Sequence, residues 1–376
     1  MIAGEASGDL HAAHLAKSLR HFSPDIILFG AGGNLMREAG VRLEVDLVEK
    51  AVVGLVEVLK HLSEFKKIFA GLTQKLQEEK PDAVILVDYP GFNLRFAKVA
   101  KRLGIRVIYY ISPQVWAWGS WRIPTIRKNI DQMIVVFPFE EIFYKRHEIQ
   151  AEFVGHPLLD FVKPYPNVED LRRELSISKE KSIIGLLPGS REKEVSALLP
   201  VMIEAGDLLQ KQLPNLHFLI FKSPTLPENI YSRCPTGNLP FTFVRDPDYG
   251  YRSLIDFSLV ASGTATLENA ILGKPMVILY KTSFVTALLV RFLIRIPYIG
   301  LVNVVAGKKI VPECLQGEAN PKRVSETALT LLQNPGKLER MRRDLLVLRE
   351  KLGEPGASSR AAQAILQELQ KSMESS

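Results

Sequence analysis

AVILVDYPGFNLRF, residues 83–96, decides the architecture. Ala83 to Val87 form a short apolar run that closes on turn chemistry at Pro90 and Gly91, the signature of a strand. The amphipathic stretch LRFAKVAKRLG follows at helical spacing. This strand ends on a carboxylate, Asp88. Two uses explain a charge at that place. It can cap the helix expected to begin near Phe92, or it can do chemistry at the carboxyl edge of a sheet.

The same grammar runs outward in both directions. DIILFG, RVIYYIS, QMIVVFP and AEFVGH read as further strands, with helical patterns such as LHAAHLAKSLRHF between them. Alternation of this kind makes βαβ units around a parallel sheet. VKPYPNVED, with its two prolines, reads as a linker. Beyond it the alternation restarts with SIIGLLPGS, LHFLIFK, FTFVR, DFSLVAS and PMVILY, and from about Pro321 the pattern is helical. The expected class is therefore α/β, with two Rossmann-like parallel-sheet domains facing a cleft and a helical C-terminus. The boundaries fall at 1–162, 163–335 and 336–376. Ligands of such sheets bind beyond the carboxyl ends of the strands, and a cleft between two domains is the expected active site. MIAGEASGD reaches a Gly-rich loop three residues in, so the first strand is either very short or begun before this start.

A chain of 376 residues exceeds one ordinary core, which agrees with two domains. Its net charge of +7 suits phosphates or acidic lipid surfaces. The excess is not gathered into a basic tail, and no zinc-finger or RNA-binding signature is present, which argues against nucleic acid. Cys234 and Cys314 are far apart, which argues against a disulfide framework or a Cys-based metal site and fits a reducing cytosol. No secretory signal opens the chain. The most apolar segment, FVTALLVRFLIRIPYIGLVNVVAG, is broken by Arg291, Arg295 and Pro297, so no span is expected.

Two stretches have the form strand, small-residue turn, helix start. In LLPGSREKEV (186–195), Gly189 and Ser190 open a helix whose free N–H groups attract anions, and Arg191 adds a charge suited to phosphate. An N-cap serine and a surface arginine would look the same. In ASGTATLENAILGKPMVILY (261–280), Ser262, Gly263 and Thr264 repeat the arrangement. Glu268 stands one turn inside, on the same face as Thr264, where a carboxylate can accept both hydroxyls of a ribose. A surface glutamate is the plain alternative. Having two such sites in one domain favours a diphosphate ligand.

In the first domain GEASGD (4–9) and GAGGNLM (30–36) are Gly-rich, but neither is a dinucleotide fingerprint or a Walker loop. Glu5, Asp9 and His11 are polar groups at the expected cleft edge; tight turns and a helix cap would use the same residues. SPQVWAWGSWR (112–122) holds all three tryptophans and follows a strand. Trp is usually core, but three within six residues of a loop suit stacking on a sugar or a lipid interface. AVVGLVEVLKHLSEFKKIFAGL (51–72) is apolar on one face with lysines mixed in, so it is a core helix or one that dips into a membrane surface. His156 in VGHP has no metal-type spacing around it and reads as structural.

Taken in order, AGEASGD, GAGGNLM, VVGLVEVLKHL, VDYPGFNLRFAK, YYISPQVWAWGSWR, VVFPFE, FVGHPLLD, LLPGSR, ASGTATLENAILGKPMV and VNVVAGKKIVPECLQ resemble the lipid-A-disaccharide synthase family over nearly the whole chain. The resemblance departs at the short start before AGEASGD. It implies a glycosyltransferase-B fold, with residues 1–162 facing acceptor and membrane and 163–335 binding the UDP-sugar. Residues 336–376 would pack back across the domains or onto a partner subunit. It implies an inverting transfer of 2,3-diacylglucosamine from UDP to the 6-hydroxyl of 2,3-diacylglucosamine 1-phosphate, giving a β(1→6) disaccharide and UDP without metal or cofactor.

Asp88 then becomes the general base, and Arg191 stabilises the leaving diphosphate. Ser190, Arg191, Ser262, Gly263, Thr264, Glu268, Asn303 and Glu313 become donor-site residues, the last two without an assigned role. Glu5, Ser7, Asp9, Asn93, Trp116, Trp118 and Arg122 become acceptor candidates. Val53, Leu55, Val56, Leu59 and Lys60 become candidates for docking on the cytoplasmic face of the inner membrane, and a homodimer is possible. Two rivals stand beside this reading: another UDP-GlcNAc-type transferase or epimerase on the same fold, and a non-catalytic nucleotide-sugar or lipid-binding protein.

Overall fold

A computed structural model describes residues 1–51, 62–232, 239–282 and 297–374. The chain divides into two compact units, Met1–Pro157 with Leu352–Ser376, and Leu158–Lys351. The block 336–376 expected from sequence is thus shared: the helix Pro335–Lys351 belongs to the second unit and Ala357–Glu374 to the first.

In the first unit the strands are β1 (Ile2–Ala3), β2 (Phe29–Gly32), β3 (Arg42–Asp46), β4 (Ala83–Val87), β5 (Arg106–Tyr110), β6 (Gln132–Val135) and β7 (Ala151–Phe153). They form one parallel sheet in the order β3-β2-β1-β4-β5-β6-β7. The order reverses between β1 and β4, so the loops leaving these two strands open a crevice at the carboxyl edge. β4 is central, with Val84 to Val87 buried, as its unbroken apolar run requires. The helix Pro90–Arg102 lays Phe92, Leu94, Phe96 and Ala97 into the core, where Leu86, Val107 and Tyr109 meet them. Pro90 sits in its first turn, where a missing N–H costs nothing.

Two boundaries differ from the sequence reading. DIILFG was expected as a strand, but Ile27 is 78% exposed and pairing starts only at Phe29, running on into the glycines. Gly30, at φ +150, lies so close to the Met1 carbonyl that a Cβ would stand 1.9 Å from it. The chain therefore pairs β2 through residues that read as loop. The edge strand β3, RLEVD, alternates charge with apolar residues, the pattern of a half-exposed strand, and was not among the strands expected from sequence.

The C-terminal helix Ala357–Glu374 packs against Ala6–Phe22. An ion pair from Arg106 to Glu368 and a bond from Arg360 Nε to the Val154 carbonyl (2.8 Å) hold it. The VGHP segment receives this return: His156 N–H donates to the Leu352 carbonyl at 2.8 Å, and a Cβ at Gly155 (φ +86) would stand 2.7 Å from the Arg360 guanidinium.

In the second unit β8 (Ser182–Leu187), β9 (Leu216–Phe221), β10 (Phe241–Val244), β11 (Phe257–Ala261), β12 (Met276–Tyr280) and β13 (Glu313–Leu315) form a parallel sheet in the order β10-β9-β8-β11-β12-β13. Its reversal lies between β8 and β11. Ile184, Leu186, Phe218 and Leu259 meet Leu198 and Met202 of the helix Glu192–Gln212 in its core. Among the described residues no helix is long and apolar enough to cross a membrane. The membrane-docking candidates Val53, Leu55, Val56, Leu59 and Lys60 lie outside the described residues, as does Cys234.

Candidate active site

Asp88 leaves β4 at the reversal of the first sheet, in left-handed backbone (φ 47), and Tyr89 follows in the same region (φ 49). Two adjacent non-glycine residues there are strained, and such strain persists only where neighbours over-determine it. The neighbours are identifiable. Asp88 N–H donates to the Tyr110 carbonyl at 3.1 Å. The Asp88 carbonyl accepts from the Tyr109 hydroxyl and from Asn93 Nδ2 at 2.7 Å. Asn93, fully buried, donates also to the Val87 carbonyl at 3.2 Å. Asn93 therefore acts on the strand exit from beneath.

Asp88 is not the N-cap residue. The N-cap of Pro90–Arg102 is Tyr89, whose side chain makes no cap bond, and the Asp88 carboxyl accepts from the Tyr89 N–H. Burial, with Glu5 nearby, pushes the Asp88 carboxyl up to about 6. A half-buried carboxyl near a like charge, at a sheet's switch point, has a raised proton affinity of the kind common at functional sites.

Glu5 is the N-cap of Ala6–Phe22, and Ser7 is exposed in its first turn. Gly4 is required by Tyr89: a Cβ would stand 2.2 Å from its ring. Asp9 is different. Its carboxylate, 4% exposed, accepts from Gly33 N–H (2.8 Å), Met36 N–H (3.1 Å) and Leu35 N–H (3.1 Å). It caps the helix Asn34–Glu38 and is committed to that, which corrects its reading as a cleft group. His11 is buried beside His14 and His156, and burial brings its imidazole down to about 4.

The tryptophans separate. Trp116 is half-buried, edge-on to Phe139, with Nε1 donating to Glu140 at 2.9 Å. Trp118 and Trp121 are exposed, and the Arg122 guanidinium lies over both rings at 5.0 and 5.9 Å. Arg122 also acts electrostatically on the Tyr109 hydroxyl that holds Asp88.

In the second unit, β8 exits into Gly189 (φ +113), Ser190 and Arg191, the N-cap of Glu192–Gln212. Ser190 N–H donates to Glu194 Oε2 (3.2 Å), and Arg191 Nη1 to Glu194 Oε1 (3.1 Å). The N–H and guanidinium of this turn are thus both taken by Glu194 of the same helix. β11 exits into Ser262, whose hydroxyl donates to the Ile299 carbonyl at 3.3 Å. At Gly263 a Cβ would meet nothing within 4 Å, so the backbone is open to a ligand where Thr264 begins the helix Thr264–Ile271. Glu268 on that helix is ion-paired with Arg252, which also contacts Asp246 (3.3 Å) and the Tyr249 ring (5.2 Å).

Asn303 and Glu313 form a clasp. Asn303 Nδ2 donates to Glu313 Oε1 (2.8 Å) and to the Val311 carbonyl (2.9 Å), while its Oδ1 accepts from Ile310 and Val311 N–H. Glu313 accepts from Ile299 and Gly300 N–H at 3.1 and 3.0 Å. The loop they hold is the one that Ser262 touches.

A family model described as lipid-A-disaccharide synthetase matches residues 1–368. The chain belongs to the lipid-A-disaccharide synthase family. It is 41% identical over 372 residues to the lipid-A-disaccharide synthase of Geobacter sulfurreducens, covering 99% of this chain and 97% of that one. Among solved structures it is similar to a putative UDP-N-acetylglucosamine 2-epimerase from Listeria monocytogenes, with a TM-score of 0.66 at 13% identity and coverage of 98% and 95%. It is also similar to a glycosyltransferase from Rickettsia africae, with a TM-score of 0.59 at 13% identity and coverage of 98% and 97%. These likenesses carry the glycosyltransferase-B fold and place epimerases on it too, so the fold does not separate the chemistries. Family membership does: this lipid-A-disaccharide synthase family member is a glycosyltransferase of lipid A biosynthesis.

Sequence reasoning missed Glu140, Tyr109, Arg252 and Asp246. Glu140 lay within a quoted motif, VVFPFE, and a carboxylate after a run of buried residues was its signal. The others sit on ordinary strand or loop patterns and are found only through their partners.

Proposed function

We propose that the chain joins UDP-2,3-diacylglucosamine to 2,3-diacylglucosamine 1-phosphate with inversion, giving the β(1→6) disaccharide 1-phosphate and UDP, with Asp88 as general base. The observation that carries this is Asp88 itself. It stands at the switch point on strained, fully braced backbone, is not the N-cap of the helix that follows, and has its carboxyl raised to about 6. At neutral pH it is ionised yet basic enough to take the proton of a sugar hydroxyl as the oxygen attacks the anomeric carbon.

The second unit supplies the donor groups. Diphosphate charge builds as the glycosidic bond breaks. Arg191, the Ser190 N–H and the start of Thr264–Ile271 offer donors to it. Arg252 takes Glu268 Oε2, which fixes the carboxylate so that Oε1 can accept from a ribose. Asn303 and Glu313 hold the loop behind Ser262. The diacylated substrates place the enzyme at the cytoplasmic face of the inner membrane as a peripheral protein, and the net charge of +7 favours an anionic lipid surface.

The test is a single-turnover assay with both substrates in detergent micelles and Asp88→Asn run beside the parent. Disaccharide and UDP from the parent, with the variant slowed about 10²–10⁴-fold, establish reaction and base. Equal rates return Asp88 to a structural role. UDP binding without product from either protein points to another acceptor or to a binding protein.

A further inference from the structure

Glu140 is 1% exposed, and the reaction as proposed gives it no part. It stands in the first turn of the helix Pro138–Arg146, where Oε2 accepts from Val136 and Phe137 N–H at 3.3 and 3.1 Å. That is half of a capping box, since Phe137 has no side-chain oxygen to complete it. An exposed glutamate does this work at many helix starts. Burial here carries a cost, visible in a carboxyl raised to about 7.

Capping also leaves Oε1 unexplained. It accepts from the Ser112 hydroxyl at 2.6 Å and from Trp116 Nε1 at 2.9 Å. Both belong to the loop leaving β5, the strand beside β4. That loop contains little regular structure, only the 3₁₀ turn Ser120–Arg122 after Gly119 (φ +84). Its stem is pinned at Glu140; its tip carries Trp118 and Trp121, 42% and 60% exposed, with Arg122 over both rings. Two open indole faces and a guanidinium are what the apolar face of a sugar ring and a phosphate together require.

We propose that Glu140 is a positioning residue for the acceptor: it fixes Ser112 and Trp116, and so sets where Trp118, Trp121 and Arg122 stand beside the strand ends that carry Asp88. The inference rests on the reading that the first unit binds the phosphorylated sugar acceptor.

All three tryptophans lie in this loop, so emission excited selectively from tryptophan reports on it alone. Emission should shift in Glu140→Gln, and a smaller shift, from Trp118 and Trp121, should persist when Trp116→Phe is already present, because Ser112 still bonds Glu140; complete loss would show that only Trp116 itself is affected and would overturn the proposal. The acceptor KM should rise about tenfold, equal to about 1.4 kcal/mol, with UDP affinity unchanged. Glu140→Ala should be worse than Glu140→Gln, which keeps one oxygen for Ser112 and Trp116. Unchanged emission overturns the proposal. So does an unchanged acceptor KM with lowered melting temperature, which would leave Glu140 a cap and nothing more.

If the Glu140 variants do not fold, Trp116→Phe alone keeps the carboxylate, removes one donor, and should raise the acceptor KM about threefold or more; an unchanged KM overturns the proposal. If the parent makes no disaccharide, the transferase reading fails separately. Binding of 2,3-diacylglucosamine 1-phosphate, followed by the same emission, then decides: weaker binding in Glu140→Gln supports positioning, and no binding to the parent overturns it.

Discussion

Asp88 shows what a site residue costs its fold. Its carboxyl titrates at about 6 in the folded protein against an ordinary 3.8. A raised value means the folded state holds the proton more tightly. The stability this provides is present below about pH 4 and is lost as pH rises through 6. Asp88→Asn should therefore stabilise the protein at pH 8, by about 1–3 kcal/mol from the size of the shift, while removing the base. Urea melts at pH 8 and pH 4 check this: a gain at pH 8 that is absent at pH 4 is the expected pattern, and equal stability at both sinks it. Arg191 makes the complementary case. It is exposed and, among the described residues, pairs with Glu194 three residues on, a contact worth little by itself. Its removal should leave stability nearly unchanged and weaken UDP binding about ten- to a hundredfold, the value of a charged hydrogen bond. Calorimetric titration of Arg191→Ala with UDP measures it, and unchanged affinity would place the phosphates elsewhere.

Elements are set in place by a few buried polar side chains. β13 has three residues and, among the described residues, pairs with β12 alone, too little to define its own register. The Asn303–Glu313 clasp does so by satisfying four backbone N–H groups, those of Ile299, Gly300, Ile310 and Val311. Asn303→Ala leaves two of them buried without a partner, which should cost about 2–4 kcal/mol and loosen the loop that Ser262 bonds. A guanidinium melt gives the first number and UDP titration tests the second; full stability would show the clasp to be dispensable. VNVVAGKKIVPE carried this clasp in plain sight, but partners ten residues apart across a turn leave no periodic trace. β2 was displaced and β3 missed for a related reason: glycines and charges took part in pairing that their neighbours imposed. By contrast β4, β5, β8, β11 and β12 were legible because strands buried on both faces must be unbroken apolar runs.

At the scale of the molecule, the return of Ala357–Glu374 to the first unit brings distant segments under one set of constraints. Among them is a group of buried histidines. Burial lowers His11 to about 4 and His156 to about 3, with repulsion from His14 on the first and from His11 on the second adding to it. A lowered value means these rings stay neutral in the fold and bind protons on unfolding. Their contribution is present above about pH 6.5 and lost as pH falls below it. At pH 5 each should cost about 2 kcal/mol. The melting temperature should therefore drop between pH 7 and pH 5, and His156→Gln should flatten the drop. A flat profile in the parent would show that these rings are not kept neutral. Asp88 works in the opposite sense between pH 4 and 6, so the acid limb of Asp88→Asn should be the steeper.

The sequence by itself determined two parallel α/β sheets, their switch-point loops and the family, because strand hydrophobicity, turn residues and local motifs are short-range properties. It also placed Asp88, Arg191 and Thr264 at strand exits. Only the tertiary structure decided which of those polar groups are already committed. Asp9 belongs to a helix cap, Glu268 to Arg252, Asn303 to Glu313 and Trp116 to Glu140, while Asp88 is not a helix N-cap and accepts from the Tyr89 N–H. The physical reason is that a buried polar side chain must find a partner, and the partner is set by which distant segments the fold brings within 3 Å or so.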